Sequence, residues 1–224
     1  MENLKINSAI AGLLMLLLSF TACNKDKNSE AKDTGIDLKN YSIVGKFEHK
    51  VNDKTLQVPY LIAFSENAKV IFYTINDNDQ GNYILENGMV KCDFGGGLIY
   101  KFNIDKESIT TYTKENTTQN LLSHILLKNP TQNQFSGTSF NGSLANTGGN
   151  LLTVTKLKFN ASQYGESSMG DPVINKDYTL INNMAATSNT GANGTLTFFV
   201  IINGKLELIR NIQNGFSYGS LTKQ

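Results

Sequence analysis

The stretch Tyr83–Met89 reads YILENGM, and Tyr178–Met184, which begins 95 positions later, reads YTLINNM. Tyr, Leu, Asn and Met match at alternate positions, which is the spacing of side chains on one face of a β-strand. The dipeptide Asn87-Gly88 at the centre of the first copy is the strongest short signal for a β-hairpin. These features predict a chain organised around a duplicated β unit.

The match extends on both sides of this centre. At the same offset, Leu56, Ile62 and Phe64 match Leu151, Leu157 and Phe159. With the offset three longer, Leu98, Tyr100, Phe102, Ile104 and Asp105 match Leu196, Phe198, Val200, Ile202 and Asn203. At the end, Leu126 and Lys128 again match Leu221 and Lys223 at the first offset. The alternative is two unrelated strand-rich halves whose alternating patterns coincide.

Composition narrows the class of protein. The 224 residues carry a net charge of +1, so no strong field attracts nucleic acid or an acidic substrate. The chain has 19 Gly, 9 Tyr and 12 Phe but only 3 Pro and no Trp. Together with abundant Asn, Ser and Thr, this balance favours a β-rich fold with many tight turns.

The N-terminus resembles that of bacterial lipoproteins. Lys5 precedes an apolar run from Ala9 to Phe20, which is too short for a membrane-spanning helix and fits a signal-peptide core. Thr21-Ala22-Cys23 follows it directly. The resemblance implies cleavage between Ala22 and Cys23 and lipidation of the Cys23 sulfur, although Phe20 stands where Leu is commoner. The alternative is an ordinary secretory signal with an incidental Cys.

The residues that follow Cys23 predict where the protein is located. Asn24 replaces the Asp that is associated with inner-membrane retention, so the resemblance favours the outer membrane, at its periplasmic face or the cell surface. Lys25-Asp26 is similar to a surface-export signal, which Lys27 then interrupts. Residues 1–22 are thus predicted to be a signal peptide and residues 23–40 a polar, flexible tether.

Two β units are predicted to follow, at residues 41–128 and 133–224, with residues 129–132 as the linker. Strands predicted in the first unit are Ile43–Val51, Thr55–Phe64, Lys69–Ile75, a pair flanking Asn87-Gly88, Leu98–Ile104, Ser108–Thr113 and Leu121–Lys128. The last of these also has near-helical spacing, but the repeat favours a strand. Pro59 indicates an edge strand or a β-bulge. Asn76–Gly81 is predicted to be a loop.

The second unit has a similar number of short segments. The strands predicted there are Phe135–Ala145, Leu151–Asn160, Gln163–Ser168, Asp177–Ile181, Ala185–Ser188, Thr195–Ile202, Lys205–Arg210 and Phe216–Thr222. About eight strands joined by tight turns form an antiparallel up-and-down meander, and closing it into a barrel removes the exposed sheet edges. The fold class is therefore all-β, with two tandem small barrels. The alternative is one larger fused β-sandwich or barrel.

Several short segments are similar to bacterial lipocalin-like lipoproteins. In the first unit they are Val44-Gly45-Lys46-Phe47, Phe64, Gly81-Asn82-Tyr83-Ile84-Leu85 and Ile104-Asp105-Lys106-Glu107-Ser108-Ile109. In the second unit they are Leu157-Lys158-Phe159, Asp177-Tyr178-Thr179-Leu180, Gly194–Phe199 and Gly204–Leu208. Lipocalins carry Gly-x-Trp on their first strand, and Phe47 stands at the Trp position. The resemblance implies tandem barrels that bind a small apolar ligand, but it identifies no ligand-binding residue.

No catalytic or metal-binding pattern is evident. His49 and His124 are isolated from other ligands and nucleophiles, and Cys92, the only thiol besides Cys23, is predicted to pack within a strand. Asn76–Gly81 resembles a calcium loop, but Asn87 stands where the twelfth position requires Glu. Phosphate-binding and nucleophile-elbow motifs are missing from the sequence, so no cofactor is predicted.

The sequence therefore predicts an outer-membrane lipoprotein, anchored through Cys23, that binds a small apolar molecule or an envelope partner without catalysis. Aromatic residues could line its pocket, although core packing is the commoner role for them. They are Phe72, Tyr73, Tyr83, Phe94, Tyr100, Phe102, Tyr112, Phe198 and Phe199. The alternatives are a structural, adhesion or envelope-assembly protein with solid cores and, less favoured, a carboxylate-based hydrolase.

Overall fold

The computed structural model describes residues 35–51, 54–75, 78–147, 152–190, 195–213 and 215–224. The predicted signal peptide, Ala22 and the lipidation site Cys23 lie outside these residues. A short 3-10 helix, Leu38–Asn40, leads into the first strand. None of the helical segments in this part of the chain is long and apolar enough to cross a membrane.

The described residues form two antiparallel sheets, each curled into a nearly closed barrel. The first contains β1 Tyr41–Val51, β2 Lys54–Phe64, β3 Lys69–Tyr73, β4 Asn78–Glu86, β5 Met89–Asp93, β6 Ile99–Asp105, β7 Ser108–Glu115 and β8 Leu121–Lys128. Its strands follow one another in chain order, and β8 returns to pair with β1. Leu121–Lys128 is thus a strand, as the repeat predicted, and the up-and-down barrel prediction is confirmed.

β7 and β8 are the two edge strands of the first sheet. The seam between them is bridged by side chains in place of a backbone ladder. At one end the backbone N–H of Leu121 donates to the Tyr112 hydroxyl over 3.4 Å. At the other end the Tyr41 hydroxyl, on β1, donates to the Glu107 carboxylate in the β6–β7 turn. The barrel is closed at this seam by side chains rather than by paired strands.

The second sheet has its seam at a different place. Its strands are β9 Ser139–Asn146, β10 Leu152–Phe159, β11 Gln163–Ser167, β12 Ile174–Asp177, β13 Thr179–Ile181, β14 Ala185–Thr190, β15 Thr195–Ile202, β16 Lys205–Ile212 and β17 Gly215–Lys223. The first and last strands, β9 and β17, are paired, so the free edges are β12 and β13. The Ser188 hydroxyl of β14 donates to the carbonyl of Asp177 on β12 over 2.6 Å and spans this seam.

Three segments of the second unit differ from the prediction. Phe135–Thr138 is a turn rather than a strand, because Thr138 N–H donates to the Phe135 carbonyl over 3.0 Å. The predicted strand Asp177–Ile181 is interrupted at Tyr178, whose N–H donates to the Ser162 carbonyl instead of a neighbouring strand. Strand β12 was not predicted, because its sequence INKD carries little strand propensity.

Two features of the first unit also differ. The predicted loop Asn76–Gly81 is wrong at its end, because β4 already begins at Asn78. Pro59 lies on β2, an inner strand of the sheet, so the prediction of an edge strand is wrong for the strand as a whole. However, β2 pairs with β3 only from Leu61 to Phe64. At Pro59, β2 is therefore paired on one side only. No strand on the other side needs the backbone N–H that proline lacks.

The repeat is visible in the contacts of its centre. Tyr83 meets Phe64 edge-on, with ring centroids 5.0 Å apart, and the matched Tyr178 meets Phe159 in the same way at 5.8 Å. The matched turns Asn87-Gly88 and Asn182-Asn183 have positive φ at both residues, as a type I′ hairpin turn requires. These matched residues therefore make similar contacts in the two barrels.

The longer offset fails further along the chain. Tyr100 and Phe102 point into their own barrel, the first. Phe198 and Val200, which the offset matches to them, belong to the second barrel but pack in the buried cluster of the first. In β15 it is Phe199 that belongs to the core of the second barrel. Since side chains alternate along a strand, an alignment that is wrong by one residue exchanges the two faces.

The outward-facing residues of β15 explain how the barrels meet. Strands β1 and β2 contact β15 and β16. The adjacent residues Ile43 and Val44 are both fully buried although they lie on opposite faces of β1, so both faces of this strand pair are covered. The members of the second barrel in this shared cluster are Ile181, Met184, Ala185, Phe198, Val200, Ile202 and Ile209. Each barrel keeps its own sheet, so the alternative of one fused barrel is wrong, but a common apolar layer joins the two.

Candidate functional site

Aromatic side chains fill the first barrel. Tyr60 stacks on Phe72 with ring centroids 5.2 Å apart, and Phe72 stacks on Tyr100 at 5.8 Å. All three are at most 1% exposed. Phe47, at the position of the lipocalin Trp, lies against both Tyr60 and Phe72. These residues form a packed core, which favours the packing role over a ligand-lining one.

The isolated histidines and the free cysteine also lie among packed side chains. His124 contacts Tyr112 at a ring-centroid distance of 5.0 Å, and burial lowers the pKa of its imidazole. His49 meets Phe216 edge-on at 5.6 Å. Cys92 is fully buried, and burial raises the pKa of its thiol well above the usual value. A thiol of this kind is a poor nucleophile.

The structure describes only part of the segment that resembles a calcium loop. Asn78–Gly81 is the extended start of β4, while Asn76 and Asp77 lie outside the described residues. Across the part of the chain that the structure describes, no three His, Cys, Asp or Glu side chains are grouped as metal ligands.

The second barrel holds a cluster of charged side chains at one end. Glu166 on β11 is bound by Arg210 of β16, with Oε1 2.9 Å from Nη1 and Oε2 2.9 Å from Nη2. Lys176 of β12 reaches the same Oε2 over 3.1 Å. The side chains of Arg210 and Glu166 are only 13% and 19% exposed. Two cations therefore share one largely buried carboxylate.

Strand register places these residues. Tyr164 is fully buried in the barrel core, and Lys176 pairs with it across β11 and β12. The Lys176 ammonium consequently lies over the Tyr164 ring, 5.5 Å from its centroid, in a cation–π contact. Arg210 pairs with Thr197, and its Nε donates to the Thr197 hydroxyl over 3.1 Å. The cluster is thus fixed by three different strands.

The electrostatics of Glu166 follow from these contacts. Burial by itself would raise the pKa of the carboxyl group. The hydrogen bond and charge of Arg210, together with Lys176, outweigh burial and hold the pKa below its usual value. Glu166 therefore stays ionised at neutral pH.

A solvent-open cleft of about 710 Å³ adjoins the cluster. The residues that line it are Asn175, Lys176, Asp177, Asn189, Thr190, Thr195, Arg210, Asn211, Ile212 and Gln213. Amide and hydroxyl side chains predominate, and these can both donate and accept hydrogen bonds. The cleft is therefore suited to a polar ligand that offers both kinds of group.

Sequence reasoning missed this site. Glu166 and Arg210 are 44 positions apart and match no motif. One signal was present, because Arg210 is the only arginine in the 224-residue chain. Arginine, unlike lysine, binds a carboxylate through two parallel contacts, so a single arginine within a predicted strand indicates a specific ion pair.

No protein-family model, curated protein or solved structure matches this chain. Function is therefore inferred from the chemistry of the site.

Proposed function

We propose that this chain is a lipid-anchored binding protein of the outer membrane, whose second barrel holds a small polar ligand in the cleft beside Glu166, Lys176 and Arg210. Lipidation of Cys23 supplies the anchor. The first barrel is a packed scaffold, and its shared apolar layer holds the second barrel in place.

The single observation that carries the proposal is a largely buried charged cluster that opens onto a polar cleft. Burying charges costs free energy, and a hydrophobic replacement is often as stable or more stable. A cluster of this kind is therefore better explained by ligand recognition than by stability. The polar lining also favours a polar ligand over the apolar one that the lipocalin resemblance implied.

Binding is favoured over catalysis by the state of Glu166. A general acid near neutral pH needs a raised pKa, whereas the pKa of Glu166 is lowered. Both oxygens of Glu166 are already occupied by cations. The carboxylate therefore orients Arg210 and Lys176 rather than accepting a proton.

A second candidate function is structural, in envelope assembly. The packed aromatic core of the first barrel favours it, because a solid core has no room for a ligand. On this view the cleft of the second barrel would be unoccupied in the cell.

The anchor is tested by labelling cells that express the full chain with radioactive palmitate. We expect the label in the wild-type protein and in the outer-membrane fraction. The Cys23→Ala variant should lose both, while Cys92→Ala, at a buried thiol, should keep both. An unlabelled wild-type protein that washes off with carbonate would refute the anchor.

The binding function is tested by native mass spectrometry of the full chain, extracted from the envelope in mild detergent. We expect an additional small mass that disappears on denaturation and is reduced in Arg210→Gln. A bare wild-type mass, unchanged after incubation with envelope extract, would favour the structural function instead.

A further inference from the structure

Two strand edges that lack a strand partner among the described residues border the cleft. β13 pairs with β14 only along Ala185–Thr187, so the rest of β14 is paired on one side only, with β15. Across the gap lies β12, which is paired only with β11. Both edges line the cleft, through Asn175 and Asp177 and through Asn189 and Thr190. We infer that the cleft binds an extended polar peptide, which pairs as an added strand with β14. This inference rests on the proposed function and specifies its ligand.

The hydrogen bonds of β14 show which of its backbone groups face the gap. The Ile201 N–H donates to the Met184 carbonyl over 2.9 Å at the start of the ladder between β14 and β15. In an antiparallel ladder, successive residues direct their N–H and C=O to opposite sides. Asn189, five positions after Met184, therefore directs both groups away from β15 and into the gap, beyond the end of β13. One donor and one acceptor on a strand edge are what an added strand requires.

The two edges differ in how well they are protected against pairing. β12 has four residues, carries the charged Lys176 and Asp177, and shifts its register against β11 at Tyr164 and Gly165. Short length, charge and bulges are the devices that keep an edge strand from accepting another strand. β14 has no charged residue and pairs with β15 without a register shift. It is therefore the edge that is open to a peptide.

The Ser188 hydroxyl limits the site at one end. It donates to the Asp177 carbonyl over 2.6 Å and bridges the two edges next to β13. Beyond this bridge both edges continue into the solvent-open cleft of about 710 Å³, a volume within the usual range for small-ligand sites. The site therefore takes a short peptide, which enters from the open end of the barrel.

The surroundings of the gap favour a neutral, polar peptide. Two cations, Lys176 and Arg210, and two carboxylates, Glu166 and Asp177, lie in or next to the cleft, so their charges balance. Apart from Ile212, the other lining side chains are amides and hydroxyls, which can donate and accept hydrogen bonds with the side chains of a peptide. These residues are Asn175, Asn189, Thr190, Thr195, Asn211 and Gln213.

The test is a fluorescence anisotropy titration of the full chain, in detergent micelles, against a mixture of dye-labelled, end-blocked pentapeptides of Ser, Thr, Val and Asn. Pairing through the backbone tolerates many sequences, so a mixture is a suitable probe. We expect saturable binding. The same mixture with an N-methyl group on every residue cannot donate backbone hydrogen bonds, and it should bind at least about tenfold more weakly.

A matched pair of variants tests the edge itself. Asn189→Pro removes the N–H that faces the gap, and proline is tolerated on an edge strand where the N–H has no strand partner. The Asn189 side chain is exposed, so its replacement removes little packing. Asn189→Pro should weaken peptide binding about tenfold, because both a hydrogen bond and the room for a strand are lost. Asn189→Ala keeps the N–H and should bind within about twofold of the wild type.

A thermal unfolding curve for each variant shows that it is folded, and the comparison of the two peptide mixtures needs only the wild type. Equal binding of both mixtures, or binding of neither, would overturn the inference. A dimer of the chain that Asn189→Pro dissociates would also overturn it, because the occupant would then be a second copy. A non-peptide mass found by native mass spectrometry would overturn the peptide but leave the proposed function intact.

Discussion

Lys46 of the first barrel and Glu207 of the second form an ion pair across the face where the barrels meet, with Nζ 2.9 Å from Oε2. Their side chains are 27% and 11% exposed. The pair lies at the shared apolar layer, to which Ile209 of the same strand as Glu207 belongs. It therefore fixes the position of one barrel against the other by charge, where the apolar contacts alone are non-directional.

We predict that Glu207→Ala lowers the free energy of unfolding by about 1–3 kcal/mol, because it leaves the Lys46 ammonium unpaired at the interface. The double variant Lys46→Met with Glu207→Leu should cost less than the sum of the single changes. Urea unfolding of each single variant and of the double variant measures these changes in the free energy of unfolding. As a control, Lys101→Met removes a pair whose Glu115 is 44% exposed, and it should cost less than about 1 kcal/mol. Strictly additive effects of the two interface changes would contradict this role.

Phe64 and Phe159, the matched aromatic residues of the repeat, should each be essential for stability. Both are at most 4% exposed, so Phe64→Ala and Phe159→Ala should each cost about 3–5 kcal/mol. Because the barrels share an apolar layer, either change should lower one common unfolding transition. Fluorescence-monitored and circular-dichroism-monitored urea unfolding test this together. Ile84→Ala, at a side chain that is 53% exposed, is the control and should change stability by about 0.5 kcal/mol or less. Two separate transitions would show that the barrels unfold independently.

Gly45 should not tolerate a side chain. A Cβ at this position would lie 1.9 Å from the carbonyl oxygen of Ser123 and 3.0 Å from the Tyr60 ring. The Tyr60 hydroxyl donates to the same carbonyl over 3.0 Å, so neither neighbour can move freely. We expect Gly45→Ala to cost at least about 1–3 kcal/mol in thermal or urea unfolding. Gly142→Ala, whose Cβ would approach no atom closer than 3.1 Å, should cost less, and an equal cost would contradict the packing argument.

The charged cluster should make stability depend on pH in the acid range. The pKa of Glu166 is lower in the folded protein than the value of about 4.3 for an unperturbed glutamate. The unfolded state therefore binds a proton first, so the stabilisation is complete well above pH 4.3 and is lost as pH falls through the folded pKa. Glu166→Gln should show a smaller loss of stability between about pH 5 and pH 3, measured by urea unfolding. Parallel pH profiles for the variant and the wild type would contradict the assignment.

Much of the strand order was predictable because its signals are local. Apolar residues at alternate positions mark β1 and β2, and an unbroken apolar run marks β15. Asn87-Gly88 fixes a hairpin through its backbone conformation alone. The repeat predicted that Leu121–Lys128 is a strand despite its helical spacing. The interruption at Tyr178 was not predictable, because it depends on hydrogen bonds from its N–H and hydroxyl to Ser162 and Asn160.

The amino-acid sequence by itself determined the all-β class and the hairpin turns, since these depend on neighbouring residues and on the alternation of side chains. It also carries the predicted anchor at Cys23, which lies outside the described residues. Only the tertiary structure decided that β15 turns Phe198 toward the other barrel and that Glu166 meets Arg210. The physical reason is that strand pairing and barrel closure set which distant side chains share a face, and sequence spacing alone does not encode that choice.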